Sequence, residues 1–323
     1  MSFSRMKNAK FHPPILDLRY KMSTKVKALF QLLRVRQYYK NLVLFIGVFF
    51  AGEIFNVNLY LQLVLAFVLV CLASSLMYIV NDIRDKEADK VHPEKAKSRP
   101  LANGDLSVGF AWILLIVIAG VEIFFIIYYR NLFSAFLGLI IANGLAYNFL
   151  FKDIAFADII SLSTIYLWRA LAGCAMIDVR ISPWLVISVF LLAMLLAAGK
   201  RIADLELLGE HKAVQHKKSY DKYSQHLLDY IIVMIATSLF IMYTLYCVLG
   251  PLEDGSIVPK ENQGLLIYST PVALFLIIRF LYLVRAKPKI ARNAEKMITD
   301  LPMLVGGVFL GIMVLILYYL EIT

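Results

Sequence analysis

Long apolar stretches, separated by short polar segments, dominate the sequence. A helix of about twenty apolar residues spans the roughly 30 Å of hydrocarbon in a bilayer. The stretches do not alternate between apolar and polar positions as the strands of a membrane barrel would. The pattern therefore predicts an all-α polytopic membrane protein, a bundle of nine transmembrane helices. The nine stretches cover approximately residues 41–56, 59–80, 110–128, 132–150, 155–177, 182–199, 229–250, 264–284 and 301–320.

The composition agrees with a membrane protein and narrows its partners. Hydrophobic residues make up 60% of the chain, charged residues make up 17%, and the mean hydropathy is +0.72. Soluble domains have roughly 45–50% apolar and about 25% charged residues. The formal charge of +10 fits basic inner loops and anionic partners such as membrane lipids. No basic and aromatic nucleic-acid module interrupts the apolar stretches, so we expect no nucleic-acid partner.

Lysine and arginine residues predict the orientation. With nine spans and the N-terminus inside, all but five of the 33 lysines and arginines fall on the inner side. We therefore expect a multi-pass protein of the cytoplasmic membrane whose largest loops, 81–109 and 200–228, face the cytoplasm. The five exceptions are Arg130, Arg180 and Lys260 outside, and Arg169 and Arg279 within spans.

The ends of the predicted spans define the domain organisation. Residues 1–23 are polar and basic and lack the features of a cleavable signal, so we expect a disordered leader. Residues 24–323 are predicted to form one integral-membrane domain. Residues 24–41 fit either an amphipathic helix on the membrane surface or a plain basic flank. The two largest inner loops lie four spans apart, which indicates two four-helix halves plus a ninth helix.

Three oxygen-bearing side chains recur every fourth residue at the end of the second stretch. These are Asn81, Asp85 and Asp89, which a helix would place on one face. Hard oxygen ligands beside a membrane, followed by lysines and arginines, suggest Mg²⁺ holding a phosphorylated substrate. The alternative is a solvated interhelical loop of mixed charge. We call these three residues the ladder.

Other polar residues near the predicted inner face are candidates for the same chemistry. Arg169 lies in the middle of a span, where a charge is expensive; it would bind an anion or orient an acid, the alternatives being a pair with Asp158 or snorkelling. Tyr147 and Lys152 lie at an inner span end, where an interface anchor and a flanking lysine are the alternatives. In the second loop, Lys200 and Arg201 precede Asp204 and Glu206 and would clamp phosphate and metal together, or be plain flank charges.

The motifs resemble a known family. Residues 81–89 read Asn-Asp-x-x-Asp-x-x-x-Asp, which resembles the first aspartate-rich motif of the UbiA-type superfamily of intramembrane prenyltransferases. Arg99-Pro100-Leu101 resembles the turn that follows this motif in the family. Tyr147 and Lys152 resemble its Tyr-x-x-x-x-Lys element. The nine-helix bundle predicted above fits what this resemblance implies.

A narrower resemblance covers most of residues 30–300. The second loop lacks the Asp-x-x-x-Asp motif of most such prenyltransferases. From Gly199 to Leu205 it is similar to the Gly-Lys-Arg-x-x-Glu-Leu version of decaprenyl-phosphate phosphoribosyltransferases, with Asp204 in place of the glutamate. Residues 34–41, which end in Lys40-Asn41, resemble their Arg-Pro-x-Gln-Trp-x-Lys-Asn segment, with Val35 and Tyr38 as departures. Residues 169–173 and 181–184 resemble two further elements.

This resemblance implies transfer of 5-phosphoribose from phosphoribosyl pyrophosphate to a polyprenyl phosphate. Mg²⁺ on the ladder would neutralise the leaving pyrophosphate. Asp204 or Glu206 would add a metal or ribose contact, and Arg169 would act in the catalytic centre. The residues that would bind substrate are Lys40, Asn41, Arg99, Tyr147, Lys152, Lys200, Arg201 and Glu206.

Alternatives remain within and outside this class. The same ladder would serve transfer of a prenyl group from a prenyl diphosphate to an aromatic or glycerol-type acceptor. A lipid or anion transporter is an alternative from another class, although no matching pair of helices is broken by glycine or proline. Gly307 and Gly311 form a Gly-x-x-x-Gly pair that is expected to pack on another helix of the same chain, with a second chain as the alternative.

Overall fold

The computed structural model describes residues 25–91, 95–208, 220, 222–252 and 258–320. The predicted leader 1–23 and part of the loop 200–228 lie outside these residues. Within the described ranges the chain is helical and contains no strand, which confirms the all-α prediction. Eight helices in these ranges are long and apolar enough to cross a membrane. The principal helices are α1 (Tyr60–Arg84), α2 (Val108–Tyr129), α3 (Leu132–Ala146), α4 (Ala157–Met176), α5 (Pro183–Leu208), α6 (Gln225–Leu249), α7 (Thr270–Ala286) and α8 (Leu301–Tyr319).

The first predicted span, 41–56, is not one long helix. A 3₁₀ helix covers Val35–Phe45, a short α-helix covers Ile46–Phe50, and turns follow. The backbone lies tightly against α4, because a Cβ atom on Gly173 would stand 1.9 Å from the carbonyl oxygen of Leu44. Glycine is thus required for this close approach. The count of nine spans is therefore not reached in the described ranges, and the other eight predicted stretches match helices.

The segment before the 3₁₀ helix changes conformation at one residue. The chain is helical over residues 25–33, within the predicted amphipathic region 24–41. Arg34 then adopts φ of 53°, in the left-handed region that interrupts a right-handed helix. The predicted helix is therefore shorter than the charge pattern indicated.

The described residues divide into two compact units. The first unit contains residues up to Tyr38 and Ser75–Val121, and so holds the ladder. The second unit contains Tyr39–Ser74 and Glu122–Thr323. The prediction of a single membrane domain over 24–323 stays a prediction.

Helix packing in the second unit brings the ends of α4, α5, α6 and α7 together. Leu195, Ile202 and Leu228 are part of a buried cluster that also includes residues of α7. A Cβ atom on Gly199 would lie 2.5 Å from the Phe280 ring, so α5 and α7 approach closely there. This packing fixes the position of the polar residues that follow Gly199.

Asp300 connects α7 with the start of α8, the two helices that flank residues 287–300. Arg279 donates from Nε and Nη2 to the two carboxylate oxygens of Asp300, at 2.9 and 2.8 Å. Lys287 Nζ donates to the same carboxylate at 3.2 Å. Asp300 also accepts from the backbone N–H of Met303 at 3.3 Å and so caps α8. Arg279, one of the two basic residues within predicted spans, is therefore an ion-pair partner of Asp300.

We expect this carboxylate to make the fold sensitive to acid. Hydrogen bonds from Arg279 hold the pKa of Asp300 well below its ordinary value of 3.8. A carboxyl group whose pKa is lower in the folded state stabilises the fold above its unfolded pKa, and this contribution is lost as the pH falls. Asp300→Asn should therefore lower the thermal midpoint of the detergent-solubilised protein at pH 7, and the difference from wild type should shrink below about pH 4. Asp105→Asn, at an exposed site, is the control; a difference that does not depend on pH would contradict the assignment.

Candidate active site

The ladder in the first unit has the helical spacing that the sequence predicted. The backbone N–H of Asp85 donates to the carbonyl of Asn81 at 2.9 Å, and that of Asp89 donates to the carbonyl of Asp85 at 2.8 Å. Helical hydrogen bonding therefore continues across the junction between α1 and the short helix Lys86–Val91. The three side chains lie one turn apart on one face. Asp89 is 2% exposed, and Asn81 and Asp85 are half-buried.

The donor atoms of the ladder suit a magnesium ion. Two carboxylates and one amide offer hard oxygen ligands, and Mg²⁺ in proteins usually takes only one or two carboxylates, with substrate phosphates and water completing its shell. In the ranges that the structure describes, no three His, Cys, Asp or Glu side chains form a metal site by themselves. The ladder therefore fits an ion shared with a phosphorylated substrate better than an ion enclosed by protein alone.

Asp82, which sequence reasoning passed over, anchors two arginines beside the ladder. Its carboxylate is 1% exposed and accepts from Arg34 Nη2 at 2.6 Å and from Arg99 Nη1 at 3.1 Å. Burial and the nearby charge of Arg34 lower the pKa of Arg99, against the opposing effect of Asp82 and Asp89. Arg99, predicted to bind substrate, is thus held in place by Asp82. One arginine lies 48 residues before Asp82 and the other 17 residues after it, and the spacing of residues in the sequence does not reveal such pairs.

A cluster of cations lies in the second unit around the end of α5. Lys200 is an electrostatic neighbour of Lys40, Arg201 and Arg292. Arg292 Nε contacts the Asp204 carboxylate at 2.6 Å. We call Lys40, Lys200 and Arg292 the cation cluster. The structure thus brings Lys40 and Lys200, which were predicted to bind substrate, together with Arg292. In the sequence, Arg292 was only one of many basic residues between the spans.

One carboxylate beside the cation cluster comes from the segment between α7 and α8. Tyr39 donates its hydroxyl to Glu295 at 2.5 Å. Burial opposes ionisation of Glu295, but the Tyr39 hydrogen bond and the charges of Lys40 and Lys200 outweigh it and lower the pKa of Glu295. A glutamate in an exposed loop carries no distinguishing pattern in the sequence. Neither Glu295 nor its contact with Tyr39 was therefore predicted.

Arg201 is buried in a second set of polar contacts. Its Nε donates to Asp158 at 3.0 Å, and Asp158 also accepts from the hydroxyl of Tyr223 at 2.5 Å. Tyr220 donates its hydroxyl to Asp204 at 2.6 Å. Burial raises the pKa of Tyr220 and of Tyr223, so both phenols stay protonated donors. The partner of Asp158 is therefore Arg201, and the alternative pairing of Asp158 with Arg169 is wrong.

Three further predicted residues lie around the same helix ends. Tyr147 begins a π-helical turn, Tyr147–Phe151, and is an electrostatic neighbour of Arg201 and Lys152. Such turns recur at functional sites. Glu206 contacts Arg285, which also contacts Asp229. Tyr147 thus lies near both Arg201 and Lys152, whereas Glu206 belongs to an exposed ion-pair network.

Arg169 is a buried cation in the second unit. It is 5% exposed, donates from Nη2 to the Ser74 hydroxyl at 3.3 Å, and lies over the Tyr166 ring at 5.0 Å. No described carboxylate lies within ion-pair distance of Arg169, and its Nε has no hydrogen-bond partner among the described residues. A buried charge is expensive without a counter-charge. Arg169 therefore has the properties of an anion-binding group.

Asn41 supports Arg169 through Ser74. The Ser74 hydroxyl lies 3.3 Å from Asn41 Oδ1, and Asn41 Nδ2 donates to the Cys71 sulfur at 3.0 Å. Asn41 is fully buried. It was predicted to bind substrate, and its described contacts are to other side chains of the protein.

Glu122 is a buried carboxyl group that the sequence analysis missed. It lies in the middle of α2, is 1% exposed, and approaches the backbone of Ala73. An acidic residue inside an otherwise apolar span is a recognisable signal, because such residues are rare in membranes. Glu122 could have been found from the sequence on that ground.

A large apolar cavity extends through the second unit. Its volume is about 1010 Å³, and residues of α5, α6, α7 and α8 line it, together with residues 46–53. Leu192 and Leu196 on α5 belong to its wall, and Lys200 follows one turn after Leu196 on the same helix face. The cation cluster therefore continues the wall of the cavity at one end. An amphiphile with an anionic head has the complementary chemistry.

Comparison with known proteins assigns the family. The model of the UbiA prenyltransferase family matches residues 42–297. The chain is 32% identical, over 218 residues, to a decaprenyl-phosphate phosphoribosyltransferase of Corynebacterium glutamicum; the match covers 66% of this chain and 65% of that relative's length.

Solved structures agree in fold. A UbiA homologue from Archaeoglobus fulgidus bound to Cd²⁺ has a TM-score of 0.62 at 15% identity, covering 90% of this chain and 99% of that one. The homologue from the same organism bound to GPP and Mg²⁺ has a TM-score of 0.59 at 16% identity, covering 88% and 99%. The helical architecture, the ladder motif and the family match over most of the sequence lead to one conclusion: the chain belongs to the UbiA prenyltransferase family.

Proposed function

We propose that the protein transfers 5-phosphoribose from phosphoribosyl pyrophosphate to the phosphate of a polyprenyl phosphate, with Mg²⁺ as cofactor. The observation that carries the proposal is the apolar cavity whose wall continues into the cation cluster. A polyprenyl phosphate has this division between a long apolar tail and an anionic head. The name of the C. glutamicum relative supports the same lipid and the same reaction.

The ladder would hold the donor. Asn81, Asp85 and Asp89 would bind Mg²⁺, which supplies charge neutralisation for a leaving pyrophosphate. The GPP and Mg²⁺ bound to the A. fulgidus homologue support a magnesium-dependent diphosphate site in this fold. Arg99, held by Asp82, would bind a donor phosphate without moving a proton, because an arginine stays charged at neutral pH.

The second unit would hold the acceptor. The phosphate of the lipid would lie on Lys40, Lys200 and Arg292, and the tail would occupy the apolar cavity. Asp204 would act by orienting Arg292 and not by binding the head group, since its carboxylate contacts Arg292 and Tyr220. A direct contact of Asp204 or Glu206 with metal or ribose stays a prediction.

The chemistry needs positioning and charge more than proton transfer. An ionised lipid phosphate attacks the anomeric carbon as pyrophosphate leaves, and positive charge develops on the ribose. The phosphate is already a nucleophile at neutral pH and requires no strong base. Arg169, a buried cation with no described carboxylate partner, would bind one of the anionic groups, while Tyr147 and Lys152 would contribute from the segment between α3 and α4.

The contacts of the second loop favour phosphoribosyl over prenyl transfer. A prenyl diphosphate donor in this family is expected to use a second pair of aspartates. Here Asp204 has its oxygens engaged with Arg292 and Tyr220. The GPP-bound A. fulgidus homologue nevertheless supports prenyl transfer as a second candidate.

Purified protein supplied with two substrate pairs tests the proposal. With Mg²⁺, polyprenyl phosphate and phosphoribosyl pyrophosphate, we expect release of pyrophosphate and formation of a polyprenyl-phosphoryl-5-phosphoribose detected by mass spectrometry. Product formed only from a prenyl diphosphate and an aromatic acid would overturn this in favour of prenyl transfer. Lipid or anion uptake into proteoliposomes without any product would indicate a transporter.

Protease accessibility of the loops in oriented membrane vesicles tests the proposed cytoplasmic location of loops 81–109 and 200–228.

A further inference from the structure

Gly307 and Gly311 of α8 do not serve helix packing in the described part of the chain. A Cβ atom built on either glycine meets no atom within 4 Å. On the neighbouring Gly306, by contrast, a Cβ atom would lie 3.0 Å from Leu276 and 3.2 Å from Phe275. Among the helices that the structure describes, the expectation that the Gly-x-x-x-Gly pair packs on another helix of this chain is therefore wrong, and Gly306 makes the close contact with α7.

The two glycines instead face the large apolar cavity. Gly307, Leu310, Gly311, Val314 and Tyr318 all line it, at the spacing of one helix face. Because glycine has no side chain, this face of α8 is recessed at two successive turns. The recess widens the cavity without loosening the contact that Gly306 makes with α7.

A wall of aromatic rings lines the cavity at the end remote from Lys200. The ring of Tyr246 lies 6.5 Å from that of Phe50 and 5.9 Å from that of Trp184, and Phe50 lies 5.7 Å from Tyr318. These tilted and edge-to-face contacts stabilise a stiff arrangement. The Tyr318 hydroxyl is buried and has no hydrogen-bond partner among the described residues. The space between the cation cluster and this wall is thus bounded on the α8 side by the two glycines.

We propose that Gly307 and Gly311 determine which lipid tails the protein accepts, by making the cavity wide enough for a methyl-branched isoprenoid chain beyond its first units. This inference rests on the proposed function, since it assumes a lipid phosphate whose head lies at the cation cluster. A short tail would end before the recess, whereas a long tail passes through it. The two glycines are therefore specificity-determining and take no part in the chemistry.

Three identical substitutions in α-helices separate this role from a general effect on membrane helices. Gly307→Leu and Gly311→Leu fill the recess, and Gly120→Leu is the matched control, because a Cβ atom on Gly120 also meets nothing within 4 Å but Gly120 does not line the cavity. Each variant and the wild type are assayed with geranyl phosphate and undecaprenyl phosphate as acceptors. We expect the KM for undecaprenyl phosphate to rise about tenfold or more in Gly307→Leu and Gly311→Leu, since overfilling a packed site weakens binding.

Two other KM values should remain unchanged in Gly307→Leu and Gly311→Leu. The KM for geranyl phosphate and the KM for phosphoribosyl pyrophosphate should stay within about twofold of wild type, a change too small to reflect a lost packing contact. Gly120→Leu should resemble wild type with both lipids. Equal effects of all three substitutions, or no effect of the two cavity substitutions, would overturn the inference while the proposed transferase activity stands.

A binding measurement keeps the inference separate from the proposed reaction. Undecaprenyl phosphate should raise the thermal midpoint of the wild type and of Gly120→Leu in detergent, and should raise it less in Gly307→Leu, all without phosphoribosyl pyrophosphate. If the wild type forms no phosphoribosyl product but shows this pattern, the proposed reaction fails and the lipid site stands. If the lipid stabilises all variants equally, the inference fails.

Discussion

Replacing Asp85 with asparagine is expected to reduce phosphoribosyl transfer by at least about a hundredfold, the scale on which loss of one charge-stabilising group in an active site acts. Asp85 is the middle residue of the ladder, one helical turn from both Asn81 and Asp89. The substitution keeps the shape of the side chain and removes its charge, so it weakens binding of a divalent cation. Pyrophosphate release measured over a range of Mg²⁺ concentrations should show lower turnover and a higher magnesium requirement.

Glu87→Gln is the matched control for this substitution. Glu87 lies in the same short helix, but its side chain is 77% exposed and it contacts Lys90. That hydrogen bond lowers the pKa of Glu87, so it is also a carboxylate at neutral pH. Glu87→Gln should retain wild-type turnover and magnesium dependence. Wild-type activity of Asp85→Asn, or equal losses in both variants, would contradict the assignment of the ladder as the metal site.

Asp158→Asn should produce the largest loss of stability. Asp158 is 0% exposed and holds Arg201 and Tyr223 through its two oxygens. Removing one partner of a buried pair leaves an uncompensated charge and costs about 3–5 kcal/mol. We expect the thermal midpoint in detergent to fall by roughly 10 °C, taking 2–4 °C for each kcal/mol. Asp153→Asn, at an exposed site five residues earlier, should leave it unchanged.

A double variant separates the structural from the functional role of Arg201. Asp158→Leu combined with Arg201→Met replaces both charges by apolar groups, which often restores stability where a single replacement does not. If Arg201 serves only to hold the helix ends together, the stable double variant should keep the KM for both substrates. A stable double variant with a strongly raised KM for the lipid phosphate would assign a phosphate contact to Arg201.

A thermal midpoint of Asp158→Asn equal to that of Asp153→Asn would show that the pair does not support the fold.

The positions of the membrane spans and the helical spacing of the ladder could be predicted from the sequence, because both depend on local spacing. Eight of the nine predicted stretches match helices long enough to cross a bilayer. The ladder follows from helical periodicity alone, and the backbone hydrogen bonds of Asp85 and Asp89 agree with it. The prediction of one long helix over the first stretch was wrong. Gly47 and Gly173 allow this segment to approach α4 closely, and the hydrophobic pattern does not indicate such an approach.

Which charged residues pair with each other could not be predicted from the sequence. Asp82 binds Arg34, Asp158 binds Arg201, and Asp204 binds Arg292, each pair brought together by packing. The lysines and arginines between the spans could not be told apart in the sequence, because the positive-inside rule explains all of them equally. Only the contacts of these residues show which carboxylate holds each cation and that Lys40, Lys200 and Arg292 lie together.

The sequence by itself determined that this is a helical membrane protein with a ladder of oxygen-bearing side chains and basic loops between its spans. Those properties depend on the length, period and charge of contiguous segments, and hydrocarbon requires them wherever the helices lie. The tertiary structure alone decided that Asn41 supports Arg169 through Ser74 and that Gly307 and Gly311 line a cavity instead of a helix contact. The reason is that a side chain's role depends on what the neighbouring helices place beside it, and that is a matter of packing between residues far apart in the chain.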